Sequence, residues 1–429
     1  MSQNALSVVT YVKPSERDAL ERVLDVIGND VRGAGANTYV SFAELTTVHF
    51  ACWVVLRSTP DSANPANVYP DTLVLEMNFD GDLAAHLDEI VTKGGKALDA
   101  VYGHCVDWPA RGSADRNAVV AYLRQHSVAT TAFYVGCPGH TVGDIQNARA
   151  VREELATFLD GEEQAATLSG AKPRDILTRI QQYLATRAQM KPVVSQETLD
   201  AQGRRGIRNA ILAALIGVPI VIVASPLLLV WYVALRIRER RDAQLVQSPL
   251  PVDPRLFGKE DVFTQNHLTT LVDVKPGTFR LGTLKAVLWL VNILAKTVFI
   301  DGQLGGIPSI HFARWLFLEN DRRLLFFSNY DGSWASYLGD FVDKANYGLT
   351  AVWSNTDRFP ASKHLAFGGA QHIEAFKQWS RQHNVYAAVW YSAYPQETIQ
   401  NLRSDIRIRD SVLKDRLGDS DVAALLQRF

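Results

Sequence analysis

From Asn209 to Leu235 the chain reads NAILAALIGVPIVIVASPLLLVWYVAL, 27 residues without a charge. Arg204, Arg205 and Arg208 precede this run, and Arg236, Arg238, Arg240 and Arg241 follow it. It is too long and too apolar for an ordinary soluble helix and long enough to reach into a bilayer. The rest of the chain has the character of a soluble protein. Of the 429 residues, 21% are charged and 47% hydrophobic, so one apolar segment interrupts globular material. The net charge of −1 gives no drive toward nucleic acid, which is excluded as an expected partner. Cys52, Cys105 and Cys137 are odd in number and form no Cys-x-x-Cys pair, which points to a reducing compartment. The first residues lack a basic stretch followed by an apolar one, so no cleaved leader is expected.

The halves on either side of this run repeat one another. Val48-His49-Phe50-Ala51-Cys52-Trp53 answers Ile310-His311-Phe312-Ala313-Arg314-Trp315, and Asn78-Phe79-Asp80-Gly81 answers Asn329-Tyr330-Asp331-Gly332. Tyr134, Pro138 and Thr141 answer Tyr391, Pro395 and Thr398 at one constant offset. Periodicity and turn residues give each half the order strand, helix, strand, strand, helix, short helix, strand, then a long polar helix. The strands are expected at 5–12, 47–56, 72–78 and 128–135, then at 267–274, 309–318, 323–329 and 385–391. Strand–helix–strand–strand–helix–strand is the ferredoxin-like split βαβ order. Such a sheet has helices on one face only, and a second copy is the natural cover for the other. The expected fold class is α+β: two ferredoxin-like repeats packed sheet to sheet as an α+β barrel, with a membrane-embedded helical segment between them. The divisions are repeat one at 1–160, an amphipathic helical connector at 161–204, the membrane segment at 205–241, a linker at 242–264 and repeat two at 265–429.

This arrangement resembles the dimeric α+β barrel superfamily, and more narrowly its members with two ferredoxin-like repeats fused in one chain. Dye-decolourising peroxidases and chlorite-dismutase-like haem proteins are among these. The resemblance covers roughly residues 5–160 and 265–420 and is one of architecture. Peroxidases of that type carry a Gly-x-x-Asp-Gly motif with a distal Asp, a distal Arg and a proximal His. Here Asn329-Tyr330-Asp331-Gly332 keeps the Asp-Gly. The resemblance therefore implies haem as a possible cofactor, with His311, Arg314 and Asp331 as candidate catalytic residues.

Read from the residues alone, the same positions have plainer roles. A strand histidine such as His49 or His311 can be held by a neighbouring carboxylate, which for His311 is expected to be Asp331. On an ideal strand, His311, Ala313 and Trp315 share one face and Phe312 and Arg314 the other. Asp80 and Asp331, each before a Gly, favour a turn or cap. Arg314 stands among apolar residues and needs a partner, Asp331 or an anionic ligand. His364 and His372 match no zinc spacing, and phosphate-loop, nucleophile-elbow and zinc-protease motifs are absent from the sequence.

The apolar run poses a topological problem. A single span would put the two repeats on opposite sides of the membrane, where their sheets could meet only those of other subunits. Pro219 and Pro226, with Gly217 and Ser225, sit centrally, and basic residues flank both ends. A re-entrant hairpin, each arm about 18 Å long, is therefore the preferred expectation over a span. The first helix of the second half, FRLGTLKAVLWLVNILAKTVF, is almost wholly apolar and is expected at the headgroups. Expected membrane-contacting residues are Leu212, Leu215, Ile220, Ile222, Leu228, Trp231, Leu288, Trp289 and Ile293. The expected function is a non-enzymatic membrane-associated scaffold or lipid-binding protein, homo-oligomeric, with both repeats on the cytoplasmic face. The alternative is a membrane-anchored haem oxidoreductase.

Overall fold

The computed structural model describes residues 3–33, 38–161, 170–187, 197–242, 250–258, 263–414, 417 and 419–428. The expected connector and linker lie partly outside these. In chain order the first half contains β1 (Gln3–Tyr11), α1 (Arg17–Val31), β2 (Val48–Leu56), β3 (Thr72–Asp80), α2 (Leu83–Tyr102), α3 (Arg116–Gln125), β4 (Ala132–Val135), α4 (Val142–Asp160) and α5 (Pro173–Thr186). The long apolar helix α6 follows (Leu199–Asp242). Then come β5 (Gln265–Asp273), α7 (Thr278–Thr297), β6 (Ile310–Leu318), β7 (Arg323–Asp331), α8 (Trp334–Trp353), α9 (Ile373–His383), β8 (Ala387–Ser392), α10 (Ile399–Val412) and α11 (Asp419–Leu426). The protein is thus α+β with antiparallel sheets. Side-chain caps begin its helices where the sequence offers them: Asp82 accepts from Ala84 and Ala85, and Ser333 from Ser336.

Each half gives its last strand away. The two four-stranded sheets have the orders β1-β3-β2-β8 and β4-β6-β7-β5. The expected strand at 128–135 serves both. Its start stays beside β1, with Val128 N donating to Ser7 O at 2.8 Å and Val9 N to His126 O at 2.9 Å. Its end pairs with β6, Tyr134 opposite Ala313. The second half repeats this: Val385 N donates to Thr269 O at 2.8 Å, and β8 then pairs with β2. A crossing strand partners one edge of each sheet, so backbone groups that would stand open to water or to another chain are used internally.

Because residues alternate along a strand, the sheets have an outer and an inner face. The outer faces pack under helices in two separate cores, one holding Leu20, Val91 and Tyr122, the other Leu284, Phe341 and Trp379. The inner faces meet: Cys52, Val54 and Val74 of one sheet touch Leu316, Leu325 and Phe327 of the other. His86 of α2 is buried under the first sheet, stacked on Phe79 at 3.8 Å between ring centroids. Burial, opposed only by the Glu89 charge, lowers its pKa from 6.5 to about 4. The folded state therefore favours the neutral ring. Its stabilising contribution is complete above about pH 6.5 and is lost as pH falls toward 4. Unfolding free energy should fall by at most about 3 kcal/mol over that window. In His86→Leu this part of the pH dependence should vanish, measured by urea unfolding at pH 7 and pH 4.5.

α6 is one continuous helix through both prolines. The expected hairpin is not formed, and the helix extends beyond both ends of the apolar run. A proline removes one backbone hydrogen bond and bends the helix without having to end it. Pro219 and Pro226 are seven residues apart, within about 20° of one another around the axis.

Candidate functional site

Two regions stand out, the apolar helix pair outside the sheets and a polar chamber between them. α6 touches the body at both ends. Near its start, Gln202 Nε2 donates to Pro138 O at 2.9 Å and Asn209 Nδ2 to Thr297 O at 2.9 Å. Gly206 lies so close to α7 that an added Cβ would come within 2.8 Å of Val298 O. Near its end, Trp231 Nε1 donates to Thr283 Oγ1 at 3.0 Å, and Glu239 accepts from the His364 and Leu365 amides at 3.0 and 2.7 Å. Asp242 pairs with Lys275 and Arg280. The two helices therefore run antiparallel. From Asn209 to Trp231 α6 rises about 33 Å, while Thr283 to Thr297 on α7 rises only about 21 Å. Residues 211–230 of α6 include no buried position.

Of the residues expected at the membrane, Leu212, Leu215, Ile220, Ile222 and Leu228 are exposed on this stretch, and Trp289 projects from α7 at 64% exposure. Ile293 is half-buried. Trp231 is half-buried as well, its indole tied to Thr283. Leu288 is a correction. It is fully buried against the second sheet, because α7 turns one stripe inward and is not apolar toward lipid all round. Both helices are long and apolar enough to cross a membrane by length and composition.

The paired histidines sit where the sheets join. A bulge lies between Val48 and Phe50, and another between Ile310 and Phe312. Each adds one residue to its strand, so His311 leaves the face of Ala313 and Trp315 on which an ideal strand would place it. His311 Nε2 lies 2.7 Å from Asp331 Oδ1, and Asp331 Oδ2 accepts the Ile399 amide at 2.8 Å. The first half repeats this with His49, Asp80 and Val142 at 3.1 and 2.8 Å. Each aspartate thus caps α10 or α4, the helix after the exchanged strand, and not the helix next to it in sequence. The symmetry breaks at one atom. His49 Nδ1 meets Tyr394 Oη at 2.9 Å, whereas the position of Tyr394 in the other half is Cys137 and His311 Nδ1 is left buried without a hydrogen bond.

Arg314 does not reach Asp331. Its guanidinium crosses to the other sheet and donates to Leu6 O, Ser7 Oγ, Glu76 Oε1, Met77 O and Asn78 Oδ1, all within 3.0 Å. His311, Arg314 and Asp331 are consequently not gathered at one open site. The His311 side chain is fully buried, with Phe50 at 5.3 Å and Tyr394 at 6.0 Å between ring centroids, and its Nε2 is occupied by a carboxylate. None of the three lines a described cavity. These residues do not fit a haem. His364 is held by Tyr232 at 2.6 Å on the surface.

The chamber's own chemistry is carried by residues from other strands. Cys52 on β2, Glu76 on β3 and His267 on β5 bring one ligand atom each within 4.8 Å of one another. His267 Nδ1 faces Asn329 Oδ1 at 3.0 Å, and Trp390 Nε1 donates to the same oxygen at 2.9 Å. An acceptor there makes Nδ1 the protonated nitrogen, so Nε2 turns a lone pair toward Cys52 Sγ, 3.4 Å away. Burial first, then the Glu76 charge, raises the thiol well above its ordinary pKa. Burial also lowers His267. The pair is neutral as it stands, not a thiolate–imidazolium nucleophile. A cleft of about 530 Å³ between β5 and β8 is lined by His267, Trp390 and Tyr391. The signal for this chamber lies in the strand TLVLEMNFD, where Glu76 and Asn78 alternate on one face of an otherwise apolar strand.

Comparison with protein-family models and with curated proteins gave no match.

Proposed function

We propose that this is a monotopic membrane protein, a scaffold or lipid-binding module in which two ferredoxin-like halves share one barrel and the uncharged middle of α6 lies in a single leaflet. The observation that carries this reading is that α6 is fixed at both ends to the same body while its uncharged middle holds no buried residue. The exchanged strands support it, since β8 joins the first sheet and β4 the second, and halves joined in this way would lie on the same side of a bilayer. A spanning α6 would drag one of them through. Arg204, Arg205 and Arg208 at one end, with Arg240 and Arg241 at the other, are exposed and suit anionic headgroups at one interface, as on a cytoplasmic face. A helix about 10–12 Å in diameter fits within one leaflet.

Sidedness tests this directly. With the protein added to the outside of sealed vesicles, protease should cut sites in both 1–200 and 240–429. Protection of either half until detergent is added would refute the monotopic arrangement. If a second copy of the chain covers the exposed middle of α6 instead, the protein will stay in solution as an oligomer and will not float with vesicles, and the reading fails.

A further inference from the structure

The polar chamber carries an inference independent of the membrane. We propose that Cys52, Glu76 and His267 form a zinc site inside the joined sheets, with a fourth position facing the cleft beside Trp390. The three side chains are of the types that bind zinc, and they converge from three strands. Zinc held by one thiolate and one imidazole in tetrahedral geometry separates S and N by about 3.6 Å. Cys52 Sγ and His267 Nε2 are 3.4 Å apart, so a small shift would admit the ion.

A second observation points to a ligand. Glu76 Oε1 accepts from Arg314 and Asn78, whereas Oε2 is buried and accepts nothing. A buried carboxylate oxygen without a donor is costly, and a metal ion would satisfy it. The surroundings are also those of a ligating histidine. Its remote nitrogen donates to an amide oxygen that Trp390 holds from the other side, which fixes both tautomer and ring orientation. Thr269 Oγ1, 2.8 Å from Nε2, would have to rotate away, as a hydroxyl can. Binding forms the Zn–S bond and breaks the S–H bond of Cys52, and the proton leaves to solvent.

Cobalt(II) serves as the probe. The full-length protein, stripped with a chelator and titrated with Co²⁺, should develop a thiolate-to-cobalt charge-transfer band that saturates at one equivalent and disappears on adding Zn²⁺. Cys52→Ser should abolish the band, His267→Gln should weaken Co²⁺ binding at least about tenfold, and Cys137→Ser, also buried, should leave it intact. Absence of the band in the unaltered protein overturns the proposal whether or not the variants fold. So does its persistence in Cys52→Ser. Vesicle flotation of the stripped protein should be unchanged, which separates failure of this site from failure of the membrane reading.

Discussion

Lysine at Leu215, Ile222 and Leu229 together should release the protein from lipid vesicles. These residues are 66, 65 and 63% exposed on the middle of α6, so the substitutions disturb no core. A lysine at the centre of a buried apolar helix costs about 2.5–3.5 kcal/mol on the insertion scale. Within one leaflet its amine can reach the headgroups, which lowers that figure. Even at about 1 kcal/mol each, the partition coefficient should drop by at least about a hundredfold. Flotation through a density step measures it, and an unchanged circular dichroism spectrum shows that the body remains folded. Equal flotation of the altered and unaltered proteins would mean that α6 is not the membrane contact.

The second large effect is expected in the chamber. Arg314→Met removes a fully buried cation that joins β6 to β1 and β3 through five hydrogen bonds. Glu76 then keeps its charge in a buried place with Asn78 as its remaining donor. Removing one partner of a buried ion pair typically costs about 3–5 kcal/mol. Adding Glu76→Leu should restore part of the loss, because the stranded charge is gone while the further bonds that Arg314 donated to Leu6 O, Ser7 Oγ and Met77 O stay lost. Urea unfolding followed by tryptophan fluorescence would show this as non-additivity in a double-mutant cycle. A single-variant loss below about 1 kcal/mol would mean that the pair does not hold the two sheets together.

Much of the fold is legible because its signals are local. Periodicity and turn residues mark the strands and helices, and the repeated letters around His49 and His311 set the two halves side by side. The choice of strand partner is not local. Nothing in residues 128–135 says that the segment leaves β1 after Val128 and continues beside β6, because either edge offers the same backbone groups. The bulge before Phe312 was equally hidden, and it reverses the expected placement of His311. Arg314 shows the same limit for the site. That it needs a partner follows from an isolated charge among apolar residues, but the partner, Glu76, lies 238 positions away in the other half. Cys52, Glu76 and His267 come from three strands and form no spaced motif, so only the assembled sheets bring them together.

The exchange of strands also sets an order of events during synthesis. When the first half has left the ribosome, β2 has no outer neighbour, since β8 lies more than 300 residues further on. α6 emerges before that neighbour exists, offering its uncharged face while the first sheet is still open. An open edge and an apolar helix present together are an aggregation hazard. A nascent chain whose α6 settles on a membrane first would be held at the surface, at high local concentration of its own second half, until β8 arrives to close the sheet.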